Sequence, residues 1–317
     1  MRKKLSTDLR ICDNSVLLAA IVLSMNAHTE PQGLGPIFTW DDAISSGMTR
    51  REANHLSPGR LTRGYYSLEP STLYTRTQAV LTIAGKTGMV CGPTALALSG
   101  VNLPQRLVRD MRIWVQVPQH QTWPRRLGVR LIRSLDPGPG YSIRGLPTLA
   151  LPHCWVQLAG ESSLDELVEL ADAMMCRQHP ITTKTALGAA LDSRNGARGI
   201  TRARAAFDLC QEGTDSIPET DLRLLLVRAG LPAPTINLPI FDSIGRVIYY
   251  LDLAYEDAKV AIEYDGAYHT DRTQMNKDTT RRRALEDQGW RIISVTSLDL
   301  ATDPAGIVAS VRRALAR

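Results

Sequence analysis

The sequence has no pair of cysteines at C-x-x-C spacing. Its five cysteines, Cys12, Cys91, Cys154, Cys176 and Cys210, are scattered, which argues against a disulfide framework and a structural zinc site. It also lacks any run of the roughly twenty apolar residues needed to span a bilayer. The closest, residues 16–25 (VLLAAIVLSM), is too short. Nor is the charge balance extreme: the formal net charge is +5 over 317 residues, with 44% hydrophobic and 22% charged residues. That composition is globular rather than disordered or fibrous, and the length suggests two or three domains.

Arg2-Lys3-Lys4 ahead of the apolar run gives the outline of a secretory signal, but Asp8, Arg10, Cys12, Asp13 and Asn14 intervene and no A-x-A site follows cleanly. An N-terminal helix, or translation from Met25, accounts for the same residues. Residues 1–34 are therefore read as an N-terminal extension, and a cytoplasmic protein is expected. The mild net charge hides an asymmetry. Residues 1–209 carry 24 Lys and Arg against 16 Asp and Glu, giving +8; residues 210–317 carry 13 against 16, giving −3. A basic front and an acidic back suit a protein that holds a polyanion with one part and does metal chemistry on it with another.

In the front part, Thr39 can cap a helix over Asp41, Asp42, Ala43 and Ile44 that Gly47 ends. Thr49 with Glu52 three residues later reads as a capping box that starts a second helix. Ser57-Pro58-Gly59 breaks that second helix, and residues 60–66 (RLTRGYY) form a short strand pair turning at Gly64. Helix, turn, helix and wing is the order of a winged helix-turn-helix, expected over residues 35–75. Arg50 and Arg51 would then open the recognition helix, with Arg60 and Arg63 on the wing reaching phosphates. A small helical domain with a solvated basic face is the alternative.

Residues 76–209 form a middle α/β domain with less specific signals. Short helices are expected over 77–84 and 93–98. A half-buried strand is expected over 112–117, alternating Ile113, Val115 and Val117 against Arg112, Trp114 and Gln116 and ending at Pro118. Residues 128–132 suggest another strand, 137–140 a loop, and 163–175 an amphipathic helix capped by Ser163 with Glu166. Arg125, Arg126, Arg130, Arg133 and Arg144 could support polyanion binding, though each singly reads as a solvated side chain. His153 beside Cys154 has no partner spacing that would make a nucleophile.

The chemistry concentrates in residues 210–317. Ser216-Ile217-Pro218-Glu219 opens a helix that stops at Gly230. Strands are expected over 247–255 (VIYYLDLAY), 259–264 (KVAIEY) and 290–295 (WRIISV), with helices over 277–288 and 306–316. Period-two alternation places Glu263 and Asp265 on one face of their strand, and pairing with its neighbour would bring Asp252 beside them. Converging carboxylates repel one another unless a hard cation sits between them, and oxygen donors of this kind suit Mg²⁺ or Mn²⁺. Such an ion activates water and stabilises charge on a phosphate. Gly266 permits a sharp turn that could return His269 to the site.

On S-I-P-E, L-D-L-A, E-Y-D-G-A-Y-H and the later R-R-R-A-L-E-D-Q-G-W-R-I-I-S-V-T, residues 216–317 resemble the PD-(D/E)XK nuclease superfamily. The likeness is to small domains related to very-short-patch repair endonucleases. The resemblance implies a restriction-endonuclease-like fold, with a central mixed sheet flanked by helices, and metal-dependent hydrolysis of DNA. It implies Asp252 and Glu263 as metal ligands and Glu219 as an accessory acid. Where the superfamily has Lys two residues after the acid, this chain has Asp265, so water activation falls to the metal, Asp265 or His269. Residues 36–68, and residues 144–175 after them, are similar to AbiEi-type antitoxins, which implies a toxin–antitoxin or defence partner. The expected architecture is thus a multidomain α+β and α/β chain. Its expected function is a DNA-binding, metal-dependent endonuclease; the alternative is a non-catalytic DNA-binding regulator that keeps an inactive nuclease fold, and RNA stands open as a target.

Overall fold

The computed structural model describes residues 34–49, 60–67, 71–123, 125–242, 244–266, 282–283 and 285–316. The described residues divide between two compact units. One lies within Met1–Val90, Met111–Pro137 and Ser142–Thr148, the other within Cys91–Asp110, Gly138–Tyr141 and Leu149–Arg317. Among the described residues no helix is long and apolar enough to cross a membrane.

In the first unit, β1 (Phe38–Thr39), β2 (Arg60–Thr62) and β3 (Tyr65–Tyr66) make a small sheet in the order β1-β3-β2. Thr39 caps α1 (Trp40–Ser45), as the sequence suggests, and Asp42 completes a capping box with it. Gly47, at φ 93, turns the chain afterwards. Gly64, at φ 81, lets β2 and β3 form their tight turn. Phe38, Ala43 and Met48 fill a local core, with Phe38 stacked on Tyr66 at 6.3 Å between ring centroids. The predicted second helix, with Arg50 and Arg51, lies outside the described residues.

The helix α2 (Leu73–Ala84), capped by Thr72, packs through Val80 and Ala84 on β5 (Ile113–Pro118). The larger sheet runs β6-β5-β4-β8-β7, with β4 at Met89–Val90, β6 at Val129–Ser134, β7 at Gly140–Ile143 and β8 at Leu146–Leu149. The expectation of a half-buried β5 is corrected here. Both of its faces are covered, and Trp114 and Gln116 are each 2% exposed. A central strand flanked by β4 and β6 has neighbours on both sides, and the polar residues find partners within it. Gln116 Nε2 donates to the Pro137 carbonyl at 2.7 Å, and the Arg130 guanidinium sits 5.4 Å from the Trp114 ring. Pro118 is the last residue of the strand, where a missing N–H costs no ladder bond.

The second unit opens with α3 (Gly92–Leu98) and α4 (Gln105–Val108). Four further helices follow: α5 (Leu151–Leu158), α6 (Leu164–Met174), α7 (Lys184–Ser193) and α8 (Ile200–Leu209). Ser163 and Glu166 close the predicted capping box on α6. Trp155, wholly buried, donates its indole N–H to the Leu167 carbonyl at 2.8 Å and ties α5 to α6. Arg202, in the basic stretch ahead of residue 210, is a clasp, donating to the carbonyls of Ala159 and Ser162.

Next comes α9 (Ile217–Arg228), with Ser216 as its cap, and then a four-stranded mixed sheet in the order β12-β11-β10-β9. Its strands are β9 (Thr235–Phe241), β10 (Val247–Tyr255), β11 (Val260–Asp265) and β12 (Arg291–Thr296). The first three pair antiparallel, and β12 joins β11 in parallel. On one face Leu253, Tyr255, Val260, Ile262 and Val295 pack against Leu222 and Leu226 of α9, and Ile307 and Val311 of the last helix, α11 (Pro304–Leu315). A short helix, α10 (Ser297–Thr302), leads into α11. Leu285 and Trp290 belong to a second cluster with Ile240, Leu251, Ala254 and Ala261. Burying so many aliphatic side chains, at about 25 cal/mol per Å², makes this sheet a rigid platform for whatever its strand ends carry.

Candidate functional site

The sheet delivers two carboxylates to one point. In the β10–β11 register Leu253 faces Ile262 and Ala254 faces Ala261, so the next step outward sets Asp252 opposite Glu263. At that step the two strands fork. The Asp252 N–H bonds the Glu263 side chain (Oε1, 3.4 Å) instead of a backbone carbonyl, and the Tyr264 N–H bonds Asp252 Oδ2 at 2.8 Å. Each carboxylate thus satisfies a backbone donor freed by the fork. Tyr249 donates its phenol O–H to Glu263 Oε2. Beyond the fork β10 stays paired with β9, and β11 with β12 as far as Asp265.

A third carboxylate arrives from α9. Glu219, 7% exposed, accepts from Ser216 Oγ at 2.8 Å and from the Asp215 N–H at 3.1 Å. It therefore stabilises the start of its helix as well as charging the site. Burial pushes the Asp252 carboxyl up to about 8, with repulsion from Glu263 and Glu219 adding to it and the Tyr264 N–H opposing it. Burial likewise raises Glu263 to about 8, opposed by the Asp252 N–H and reinforced by Asp265 and Glu219. Glu219 is raised by burial, opposed by its hydrogen bonds to Ser216 and Asp215.

Of the residues singled out from sequence, Glu219 and Glu263 raise Asp252 by repulsion, and Asp265 and Glu219 do the same to Glu263. Arg60 and Arg63 are exposed on the β2–β3 hairpin. Arg50, Arg51 and His269 lie outside the described residues. Three participants escaped the sequence reading. Tyr249 is a hydrogen-bond donor to Glu263, hidden among the aromatic residues of a β-rich run. Asp215 sits immediately before the helix cap, adds to the repulsion on Asp252 and is ion-paired to Arg177 (Nε–Oδ2 2.9 Å). Asn237 lies on β9 opposite Asp252 in left-handed backbone (φ 46) and donates to the Gly213 carbonyl at 2.6 Å, anchoring the loop that carries Asp215. An asparagine within an apolar strand was the signal for it, since Asn tolerates that backbone better than most residues.

The donor set suits a hard divalent ion. Asp252 and Glu263 are short-range oxygen donors held by the backbone, and their crowding favours any occupant of positive charge. Among the described residues no group of three or more His, Cys, Asp or Glu closes into a ligand cage, so such an ion would keep water in part of its shell, as Mg²⁺ usually does.

A pH dependence follows. Because folding raises both carboxyl groups, the native state holds protons that the unfolded chain releases from about pH 4 upward. Metal-free stability should therefore fall as pH rises from about 5 through about 8. Glu169, raised to about 7 by burial and by the nearby acids Asp221, Glu166 and Asp165, contributes with the same sign. Thermal melts in EDTA should show a smaller decline for Glu263→Gln than for the parent. Equal declines would mean that the pair is not the source.

The family match falls on the same part of the chain. Residues 238–315 match the restriction-endonuclease-like family REase_MTES_1575, which supports a nuclease-type domain at the C-terminus. The match spans Asp252, Glu263 and Asp265 and begins after Asp215 and Glu219. The chain is also similar to the uncharacterized proteins MT2308 and Rv2248 of two Mycobacterium tuberculosis strains. Each is 27% identical over 288 residues, covering 85% of this chain and 98% of the relative. No solved structure matches. The chain therefore carries a C-terminal region like restriction endonucleases inside an arrangement that extends over nearly the full length of those mycobacterial proteins.

Proposed function

We propose that the protein is a DNA-binding endonuclease that hydrolyses phosphodiester bonds with Mg²⁺ or Mn²⁺ held by Asp252 and Glu263. The observation that carries this is the half-buried Asp252 and the buried Glu263 facing each other where β10 and β11 fork, each raised far above its ordinary range. Two like charges so placed are unfavourable unless a cation or proton occupies the space. A divalent ion there supplies Lewis-acid stabilisation of a phosphate and an acidified water. The protein's own residues hold it and orient the chemistry. The backbone N–H groups of Asp252 and Tyr264 fix the two carboxylates, and Tyr249 fixes the outer oxygen of Glu263. Glu219 adds negative charge from the helix side, and Asp265 or His269 is left to position the attacking water in place of the missing lysine.

The front part is assigned to docking. In this reading residues 35–75 form a winged helix, with Arg50 and Arg51 on its recognition helix and Arg60 and Arg63 on its wing. Residues 76–209 form a middle domain and residues 210–317 the nuclease domain. Each arginine contacting a phosphate adds about 0.9 to the slope of log K against log salt. Replacing Arg60 and Arg63 together by alanine should lower that slope by about two, read by fluorescence anisotropy on duplex DNA over a salt series. An unchanged slope would remove these residues from the interface.

One observation favours a second reading. Asp265 stands where the superfamily has its lysine, which suits a regulator that binds DNA with the nuclease fold and does not cut. Incubating supercoiled, linear and single-stranded DNA with the full chain and Mg²⁺ or Mn²⁺ separates the two. Nicking in any arm supports the endonuclease, and binding without nicking in every arm supports the regulator.

A further inference from the structure

The candidate site is rich in acid. Asp252 and Glu263 balance a divalent ion, which leaves the charge of Glu219 and Asp265 over, and an incoming phosphodiester adds negative charge of its own. Hydrolysis builds up still more charge on the non-bridging oxygens of the phosphate, so a fixed cation beside them stabilises the transition state most. Strand β11 carries Asp265 where that cation would stand. Another part of the second unit brings one in.

Arg177 lies three residues beyond α6 and is clamped on two sides. Its Nε donates to Asp215 Oδ2 at 2.9 Å, and its Nη2 donates to the same oxygen. Its Cζ lies 4.0 Å from the centre of the Tyr250 ring, on β10 two residues before Asp252. A guanidinium over an aromatic face with a carboxylate along one edge is oriented before any ligand arrives. Both anchors belong to the site. Tyr250 shares its strand with Asp252, and the Asp215 N–H bonds Glu219 while the Asp215 charge acts on Asp252. Arg177 thus joins the site from the α9 side, beside Glu219.

The clamp leaves one arm of the guanidinium unused. Nη1 has no hydrogen-bond partner among the described residues and is not shut away from solvent, and the side chain is 32% exposed. In a planar guanidinium Nη1 lies across from the Nε–Nη2 edge, so a phosphate bound there meets the cation before the carboxylate behind it. Arg223, by contrast, has a side chain only 4% exposed and is committed to Asp172 and the Leu209 carbonyl. A guanidinium with free N–H groups fits phosphate oxygens and keeps its proton, so it acts by charge and hydrogen bonding alone.

We infer that Arg177 is a catalytic residue of the hydrolytic site, with Nη1 donating to a non-bridging oxygen of the phosphate being cleaved. Its charge supplies from the α6 side what β11 lacks at Asp265. It stays protonated throughout, moves no proton and leaves the attacking water to other groups. The inference rests on the endonuclease reading for its reaction, but the contact with phosphate is testable without cleavage.

Two measurements on the full chain test it together: duplex DNA binding in Ca²⁺ over a salt series, and single-turnover cleavage in Mg²⁺ or Mn²⁺. Arg177→Gln keeps an amide N–H for Asp215 and loses the charge. It should lower the slope of log K against log salt by about 0.9, the share of one phosphate contact. It should also slow cleavage about 100- to 1000-fold. Should Arg177→Gln melt early, the double variant with Asp215→Asn removes the acid that the clamp neutralises and gives the same two readings on a folded chain. An unchanged slope overturns the inference whether or not the wild type cuts. Where the wild type cuts, cleavage by Arg177→Gln within about threefold of it overturns the inference too, and makes Arg177 a clasp for Asp215 alone. A wild type that cuts no DNA sinks the endonuclease reading and with it the catalytic role, while the slope still decides whether Arg177 meets a phosphate.

Discussion

Asp252→Ala should abolish metal-dependent DNA cleavage, a loss of at least about a thousandfold in rate, while duplex binding in EDTA changes less than about threefold. The size follows from position. Asp252 is one of two carboxylates at the strand fork, and removing it leaves Glu263 as a single weak donor for the cation. The binding arm follows from charge: removing one acidic group from a part of the chain that carries −3 cannot weaken attraction to phosphate. Glu263→Ala should behave alike. Because Asp252 also accepts the Tyr264 N–H, Asp252→Asn is the control for lost structure. It keeps an oxygen for that bond and should still be inactive. Wild-type cleavage by Asp252→Asn would mean that the hydrolytic site lies elsewhere. Parallel loss of cleavage and of binding in Asp252→Ala would point instead to a damaged fold.

Asp172→Ala should destabilise the protein by about 3–5 kcal/mol, the usual cost of leaving one member of a buried ion pair alone. Asp172 on α6 and Arg223 on α9 are 0% and 3% exposed and meet at 2.7 Å. Thr220 Oγ1 and the Gln211 N–H also donate to Asp172, and Arg223 donates to the Leu209 carbonyl. Burial raises Asp172 and Arg223 opposes the rise, so the pair is balanced only while both partners are present. Chemical denaturation should show the full loss for Asp172→Ala and for Arg223→Ala. The double replacement Asp172→Leu with Arg223→Met should recover most of it, because an apolar pair of similar volume has no charge to desolvate. A loss below about 1 kcal/mol in the single variants would contradict the buried pair. The consequence reaches function, since α9 carries Glu219 one turn before Arg223 and any loosening of α9 shifts that carboxylate.

These residues also mark what could be read from sequence. Caps were legible because they are local: Thr39 and Ser163 each satisfy a backbone donor three residues away, and both caps form. The juxtaposition of Asp252 and Glu263 was legible because acids inside apolar strands, Asp252 in VIYYLDLAY and Glu263 in KVAIEY, stand out from their surroundings. Strand β9 was missed: it contains Pro239 and follows Pro232 and Pro234, residues that break up a strand pattern. It is an edge strand, where proline is tolerated. Trp114 and Gln116 were misassigned because alternation reports a strand's own pattern and not whether the second face is later covered. The Asp172–Arg223 pair was invisible, since fifty-one residues separate partners whose identities alone suggest surface charges. Asp215 was overlooked for a related reason: an acid before a helix cap looks like a capping residue until its neighbours in space are known.

The most direct test is a crystal of the full chain soaked in Mn²⁺, with diffraction collected at the manganese absorption edge. An anomalous peak between the carboxylates of Asp252 and Glu263, at about 2.0–2.2 Å from an oxygen of each, with the peak gone in Asp252→Ala, is the expected result. A well-diffracting soaked crystal with no peak between those two carboxylates, or with manganese bound only elsewhere, would contradict the metal-dependent site.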